Sequence, residues 1–124
     1  MTDRTVLHVE DNEYNRKIVR QLLSRTSFRL IEAADGEEGV AVAQRELPDL
    51  ILMDVQLPKL SGLEATRLLR ADPRTAKIPL VVVTSFALSG DDQRAMAAGA
   101  SAYLAKPYSP RELLALVRKY LPEN

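Results

Sequence analysis

At 124 residues the chain is shorter than the ~150 residues of an average domain, so a single domain over residues 1–124 is expected. Seventeen Lys and Arg balance seventeen Asp and Glu, which removes the basic footprint of a nucleic-acid binder. No cysteine and a single histidine, His8, exclude thiol chemistry and any site built on several imidazoles.

Apolar residues make up 46% of the chain, enough for a buried core and too many for disorder. No stretch approaches the ~18 consecutive apolar residues of a membrane span. No membrane insertion and a cytoplasmic location are therefore expected, with carboxylates, hydroxyls and lysines carrying the chemistry.

Five short β-rich runs recur along the chain: Thr5 to Val9, Phe28 to Ala33, Leu50 to Met53, Leu80 to Val83 and Ala102 to Leu104. Each is followed by a helical pattern. In the first helix Ile18 and Leu22, with Val19 and Leu23, recur at four-residue spacing and give it one apolar face. Three later helix starts carry capping-box spacing: Asp35 with Glu38, Ser61 with Glu64, and Ser109 with Glu112, the last followed by Pro110 at the favoured first helical position. A fourth helix is expected at about Asp91 to Ala98. The last buries Leu113, Val117, Tyr120 and Leu121 on one face. Pro48 and Pro79 stand just before strands, where they end the preceding helical stretch.

Five βα units in series predict an α/β fold, a doubly wound parallel sheet with helices on both faces. The continuous apolar runs Ile51-Leu52-Met53 and Leu80 to Val83 suit central strands. In such a sheet the residues at the strands' carboxyl ends gather along one edge, where ligands bind. That edge collects Glu10 and Asp11, Asp54, Thr84, and Lys106 with Pro107.

Taken singly, each of these has an ordinary explanation: Asp54 as a turn former, Thr84 as a strand residue, Lys106 as a solvated charge. Together they do not. Three carboxylates side by side repel one another unless a cation sits among them, and hard oxygen donors suit Mg²⁺. A metal and an ammonium beside a nucleophilic aspartate are the parts of a phosphoryl-acceptor site, with the Thr84 hydroxyl available to the phosphoryl oxygens.

These residues resemble the receiver domains of bacterial two-component response regulators. The resemblance runs from Val6-Leu7-His8-Val9-Glu10-Asp11-Asn12 through Asp49 to Pro58 and Ser61-Gly62 to Lys106-Pro107. The wording around Asp54, with Thr84-Ser85-Phe86-Ala87 and Gly90-Asp91, is most similar to single-domain receivers of the DivK type. The resemblance implies a flavodoxin-like sheet of order 2-1-3-4-5. It also implies that Asp54 accepts a phosphoryl group from a phosphohistidine on a sensor histidine kinase or histidine phosphotransfer protein. Asp11, Asp54 and the backbone carbonyl of Gln56 would ligate Mg²⁺, with Glu10 acting through a water. Lys106 would contact the phosphoryl group, and the Lys106–Pro107 bond would be cis.

Thr84 and Tyr103 match the family's switch pair, expected at the ends of adjacent strands. Gly62, in the loop after the acceptor, is expected to supply backbone freedom. Gln56 and Phe86 fall at positions that tune loss of the phosphoryl group.

The expected protein is a stand-alone signalling receiver, a monomer or weak dimer acting on a downstream protein target. It is not expected to be an enzyme beyond slow self-phosphorylation from small donors and slow dephosphorylation. A start at Met1 directly before the first strand and an end at Leu121-Pro122 after the last helix favour this over a receiver cut from a hybrid histidine kinase. A Mg²⁺-dependent phosphoaspartyl phosphatase of the haloacid dehalogenase type needs a second aspartate two residues after the nucleophile, and Gln56 stands there. In a flavin module of the same sheet order, Glu10-Asp11-Asn12 would repel the flavin phosphate.

His8, inside the first strand, is expected to be a sheet-face residue rather than a phosphoryl carrier. Tyr14 is either a partner surface or helix packing. Met96, with Ala95, Ala97 and Ala98, either closes an interface or packs on the sheet.

Overall fold

The computed structural model describes residues 4–84 and 90–122. Ten elements alternate: β1 (Thr5–Val9), α1 (Glu13–Leu23), β2 (Arg29–Ala33), α2 (Gly36–Glu46), β3 (Leu50–Asp54), α3 (Gly62–Ala71), β4 (Leu80–Thr84), α4 (Asp91–Ala98), β5 (Ala102–Ala105) and α5 (Pro110–Tyr120). The strands form one parallel sheet of order β2-β1-β3-β4-β5.

Alternation along each strand divides the core in two. Leu7, Val9, Ile51, Met53, Leu80 and Val82 face α2, α3 and α4, meeting Val42, Ala43, Ala65, Leu69 and Ala95. Val6, Leu50, Leu52, Val81, Val83 and Leu104 face the other way, against Val19 and Leu23 of α1 and Leu113 and Val117 of α5. Every residue of β3 and β4 is buried, as their uninterrupted apolar runs require of strands covered on both faces.

The helix starts follow local chemistry. Asp35, Ser61 and Ser109 accept from the backbone N–H groups of Glu38, Glu64 and Glu112. Only the last of these pairs completes the reciprocal box, with Glu112 bonding back to the Ser109 N–H. Glu38 instead reaches the N–H of Ala34 at 2.6 Å.

Three strands end later than the apolar runs predict. β3, β4 and β5 each extend one residue further, to Asp54, Thr84 and Ala105. In β3 and β4 backbone pairing continues although the side chain has turned polar, while β5 ends on the small apolar Ala105. Phe28 precedes β2 and is buried against the α1/α5 side.

Candidate functional site

The carboxyl edge of the sheet gathers the acidic residues. Glu10 follows β1, and its N–H donates to the Ala33 carbonyl of β2 at 2.9 Å. Asp11 is exposed beside it, and Asn12 caps α1 by accepting from the Asn15 N–H at 3.0 Å. Asp54 closes β3, nearly buried, and its Oδ1 accepts from the Gln56 N–H at 3.3 Å. Glu10, Asp11 and Asp54 each offer a carboxylate oxygen within 4.8 Å of the others.

Lys106, the first residue after β5, reaches into this group. Its Nζ donates to Glu10 Oε1 at 3.0 Å and to Asp54 Oδ2 at 3.4 Å. The Lys106–Pro107 peptide bond is cis. A cleft of about 480 Å³ lined by Asn15, Ile18, Lys106, Pro107 and Tyr108 opens beside the lysine.

One ammonium cannot satisfy this much negative charge, and the titration of the site reflects that. Burial, then the hydrogen bond and repulsion from Glu10, push Asp54 up to about 7 despite Lys106 and the Gln56 N–H. Burial also opposes ionisation of Glu10, but hydrogen bonds from Asp54 and Lys106 outweigh it and hold Glu10 below the usual carboxylate range. Lys106 is raised although burial works against its charge, because Asp54 and Glu10 face it. Ionisation of the two carboxylates is therefore coupled, with Glu10 favoured as the charged member and Asp54 disfavoured. The donor set is all hard oxygen and proton-binding when alone, which fits a divalent cation such as Mg²⁺.

Local packing fixes the acceptor end of β3. The Gly62 N–H donates to the Val55 carbonyl at 2.9 Å, and a Cβ on Gly62 would lie 1.9 Å from the Asp54 carbonyl oxygen. Gly62 is therefore required by close approach, not by the backbone freedom expected of it. The positive φ in this loop falls on Lys59, at 68°.

Thr84 ends β4 fully buried. Tyr103 does not end its strand: it pairs with Val82, while Thr84 pairs with Ala105, so Tyr103 is diagonal to Thr84 and two residues short of the strand's end. The two side chains share the α4 side of the sheet with Val82, and Tyr103 is 43% exposed. Ser85, Phe86 and Ala87 lie outside the described residues.

His8 is buried on the α1/α5 side of β1, and its Nδ1 has no hydrogen-bond partner. Burial, only partly offset by Glu10 and Glu32, lowers it to about 4, so it is a neutral sheet-face residue at neutral pH. Tyr14 is 71% exposed, so of its two expected roles packing is excluded. Ala95 and Ala98 of α4 face the core while Met96 points outward.

A doubly wound parallel sheet whose carboxyl edge gathers three carboxylates, two of them bonded to one lysine, is the arrangement of a receiver-type module. The profile of the response regulator receiver domain matches residues 6–118, and the chain belongs to that family. It is 41% identical over 118 residues to the polar-differentiation response regulator DivK of Brucella anthropi, covering 95% of this chain and 96% of that protein. DivK of Brucella ovis matches to the same extent.

Among solved structures, the receiver domain of a sensor histidine kinase from Pseudomonas aeruginosa PAO1 superposes with a TM-score of 0.90 at 35% identity, covering 98% of this chain and 100% of that one. That structure holds a magnesium ion coordinated in its active-site cleft. A chemotaxis response regulator of Vibrio cholerae gives 0.89 at 30% identity, covering 96% of this chain and 99% of that one. The chain is thus a DivK-like receiver of two-component signalling, and among the described residues no helix is long and apolar enough to cross a membrane.

The structure brings together Glu10, Asp11, Asp54 and Lys106 as the sequence predicts, with Thr84 at the same edge. Sequence reasoning missed Asn12 as the cap of α1, although Asn before a Glu in the first turn is a readable signal. It also missed Arg16, whose Nη1 donates to the Glu10 carbonyl at 2.7 Å.

Proposed function

We propose that the chain is a stand-alone phosphoacceptor receiver in which Asp54 takes a phosphoryl group from a phosphohistidine on a histidine kinase or histidine phosphotransfer protein. An Asp54 carboxylate oxygen attacks phosphorus; the P–N bond to the donor imidazole breaks and its electron pair stays on nitrogen. Asp54 reacts as the ionised carboxylate, the form that burial and Glu10 disfavour and that a nearby cation favours.

Asp11, Asp54 and the Gln56 carbonyl would hold Mg²⁺, with Glu10 acting through a water. When bound, the cation supplies charge neutralisation for the phosphoryl oxygens. The Lys106 ammonium, already between Glu10 and Asp54, is placed to hold one of those oxygens, and the Thr84 hydroxyl another. The cleft beside Lys106 gives the donor imidazole an approach between α1 and the β5–α5 loop.

The single observation that carries this reading is the contact of one ammonium with both Glu10 and Asp54 inside a three-carboxylate cluster. The acylphosphate then alters protein contacts at the α4–β5–α5 surface rather than driving further chemistry. Incubation with phosphoramidate, a donor that carries a P–N bond, tests it. Formation of a hydroxylamine-sensitive phosphoprotein that requires Mg²⁺ is expected; a hydroxylamine-resistant adduct would contradict an aspartyl phosphate.

A further inference from the structure

The loop that carries the acidic pair is tied down from a place that the reaction itself does not use. Arg16 lies in α1, six residues past Glu10, and its side chain folds back over the start of its own helix. Its Nη1 donates to the Glu10 carbonyl at 2.7 Å, and its Nη2 to Glu13 Oε2 at 2.8 Å. Glu13 is held in turn by Arg20 at 3.2 Å, and Arg20 makes two hydrogen bonds to Glu32 of β2, at 2.9 and 3.2 Å. Only 16% of the Arg16 side chain is exposed.

We propose that Arg16 is a positioning residue for the divalent-cation site, acting through the Glu10–Asp11 peptide; this rests on the reading of Glu10, Asp11 and Asp54 as that site. The Glu10 N–H is fixed to the Ala33 carbonyl and its C=O to Arg16, so both ends of the residue are anchored. The plane of the following peptide is then set, and with it the direction in which the exposed Asp11 leaves the sheet. Remove the guanidinium and a carbonyl in a nearly buried residue loses its donor, which favours rotation of that peptide toward another partner. Both carboxylates move with it.

Charge alone argues the opposite sign. Arg16 is a cation near a cation site, so deleting its charge should tighten Mg²⁺ binding if nothing but Coulomb repulsion mattered. Groups that orient ligands through a hydrogen bond typically contribute at least tenfold to metal affinity, which exceeds the effect of one partly screened charge. Positioning should therefore win.

Calorimetric titration of the full chain with MgCl₂ separates the two. Arg16→Met is expected to weaken Mg²⁺ binding roughly tenfold, and Arg16→Lys, which keeps a donor within reach of the Glu10 carbonyl, to recover most of the loss. Arg20→Met breaks the same ion-pair chain without touching Glu10 and is expected to stay within about twofold of wild type. Amide exchange in the metal-free protein gives a readout independent of any metal: the Asn12 N–H, held by Glu10 Oε2 at 3.3 Å, should exchange faster in Arg16→Met. Unchanged or tighter Mg²⁺ binding in Arg16→Met, or equal losses in Arg16→Met and Arg20→Met, would overturn the proposal. If Arg16→Met does not fold, failure of Arg16→Lys to outperform Arg16→Gln would overturn it equally. Absence of Mg²⁺ binding by the wild type would instead refute the cation site itself, and unchanged Asn12 exchange would then dispose of Arg16 as well.

Discussion

Gly62 and the Asp54 carbonyl stand so close that a single methyl group cannot be placed between them: the Cβ of an alanine would lie 1.9 Å from that oxygen and 2.9 Å from the Val55 Cα. The neighbours are backbone at the end of a fully buried strand, so neither side can yield cheaply. α3 is in this way set directly against the acceptor end of β3.

Gly62→Ala therefore acts on stability and on the site together. Alanine gains up to ~1 kcal/mol of helix propensity. Overpacking against a fixed backbone costs about 3 kcal/mol. A net loss of about 2 kcal/mol in urea unfolding is expected, together with slower phosphorylation; a stabilised variant with unchanged phosphorylation would show that β3 and α3 can part without consequence.

Arg70 closes the opposite end of the sheet. Its guanidinium donates to the carbonyls of Ile78 at 2.7 Å, Gly99 at 2.7 Å and Ala76 at 3.1 Å. Burial lowers its pKa, and as a guanidinium it stays charged. Arg70→Met strands several carbonyls at once, so a loss of about 3 kcal/mol in denaturant unfolding is expected. Mg²⁺ affinity should not change, because the clasp is remote from the acidic cluster; a large change in affinity would connect the two ends of the sheet.

The pH dependence of stability in the metal-free protein pits two buried groups against each other. His8 is lowered to about 4 from 6.5, so the unfolded chain binds more protons and stability is lost as pH falls through that window. Asp54 is raised to about 7 from 3.8, so the folded chain binds more protons and stability is lost as pH rises toward 7. Between pH 5 and 6.5 the two effects oppose each other. Wild-type stability should vary less with pH there than that of a variant lacking either group. Asp54→Asn should become more stable with rising pH, and His8→Leu less stable; urea midpoints at three pH values decide it, and parallel profiles in all three proteins would reject the opposition.

The architecture was legible because periodicity and capping agree at almost every element. Continuous apolar runs marked β3 and β4 as central, and Ser109 with Glu112 and Pro110 marked the start of α5. Strand ends were less legible, because backbone pairing continues through Asp54 and Thr84 after the apolar run has stopped. Tyr103, expected level with Thr84 at the strand ends, sits inside β5, where the register pairs it with Val82 and pairs Thr84 with Ala105. Gly62 was recognised but for the wrong reason, since a close approach between chain segments leaves no mark in local sequence. Arg16 was invisible for a related reason: its partner is a carbonyl, and carbonyls have no residue type.

Thr84 and Tyr103 occupy the same side of the sheet as α4, one buried and one 43% exposed. If Thr84 moves toward a phosphoryl group, the space it leaves is open to Tyr103, and the α4–β5–α5 surface changes. Full reversal of a two-state equilibrium from 1:99 to 99:1 needs roughly 5.5 kcal/mol, so a partial shift is expected. Beryllofluoride with Mg²⁺ should alter amide shifts across α4 and β5 in the wild type. Thr84→Ala should bind the mimic yet lose most of those changes, and Tyr103→Ala should do the same. Wild-type shift patterns in both variants would reject the pair as a switch.

Intact-mass analysis after incubation with acetyl phosphate decides whether Asp54 is the phosphoacceptor of a Mg²⁺-dependent site. The wild type in Mg²⁺ should gain one phosphoryl group, and both the chelated wild type and Asp54→Asn in Mg²⁺ should gain none. The same adduct on Asp54→Asn would show that another residue takes the phosphoryl group, and an adduct on the wild type after full removal of the metal would show that the site works without Mg²⁺.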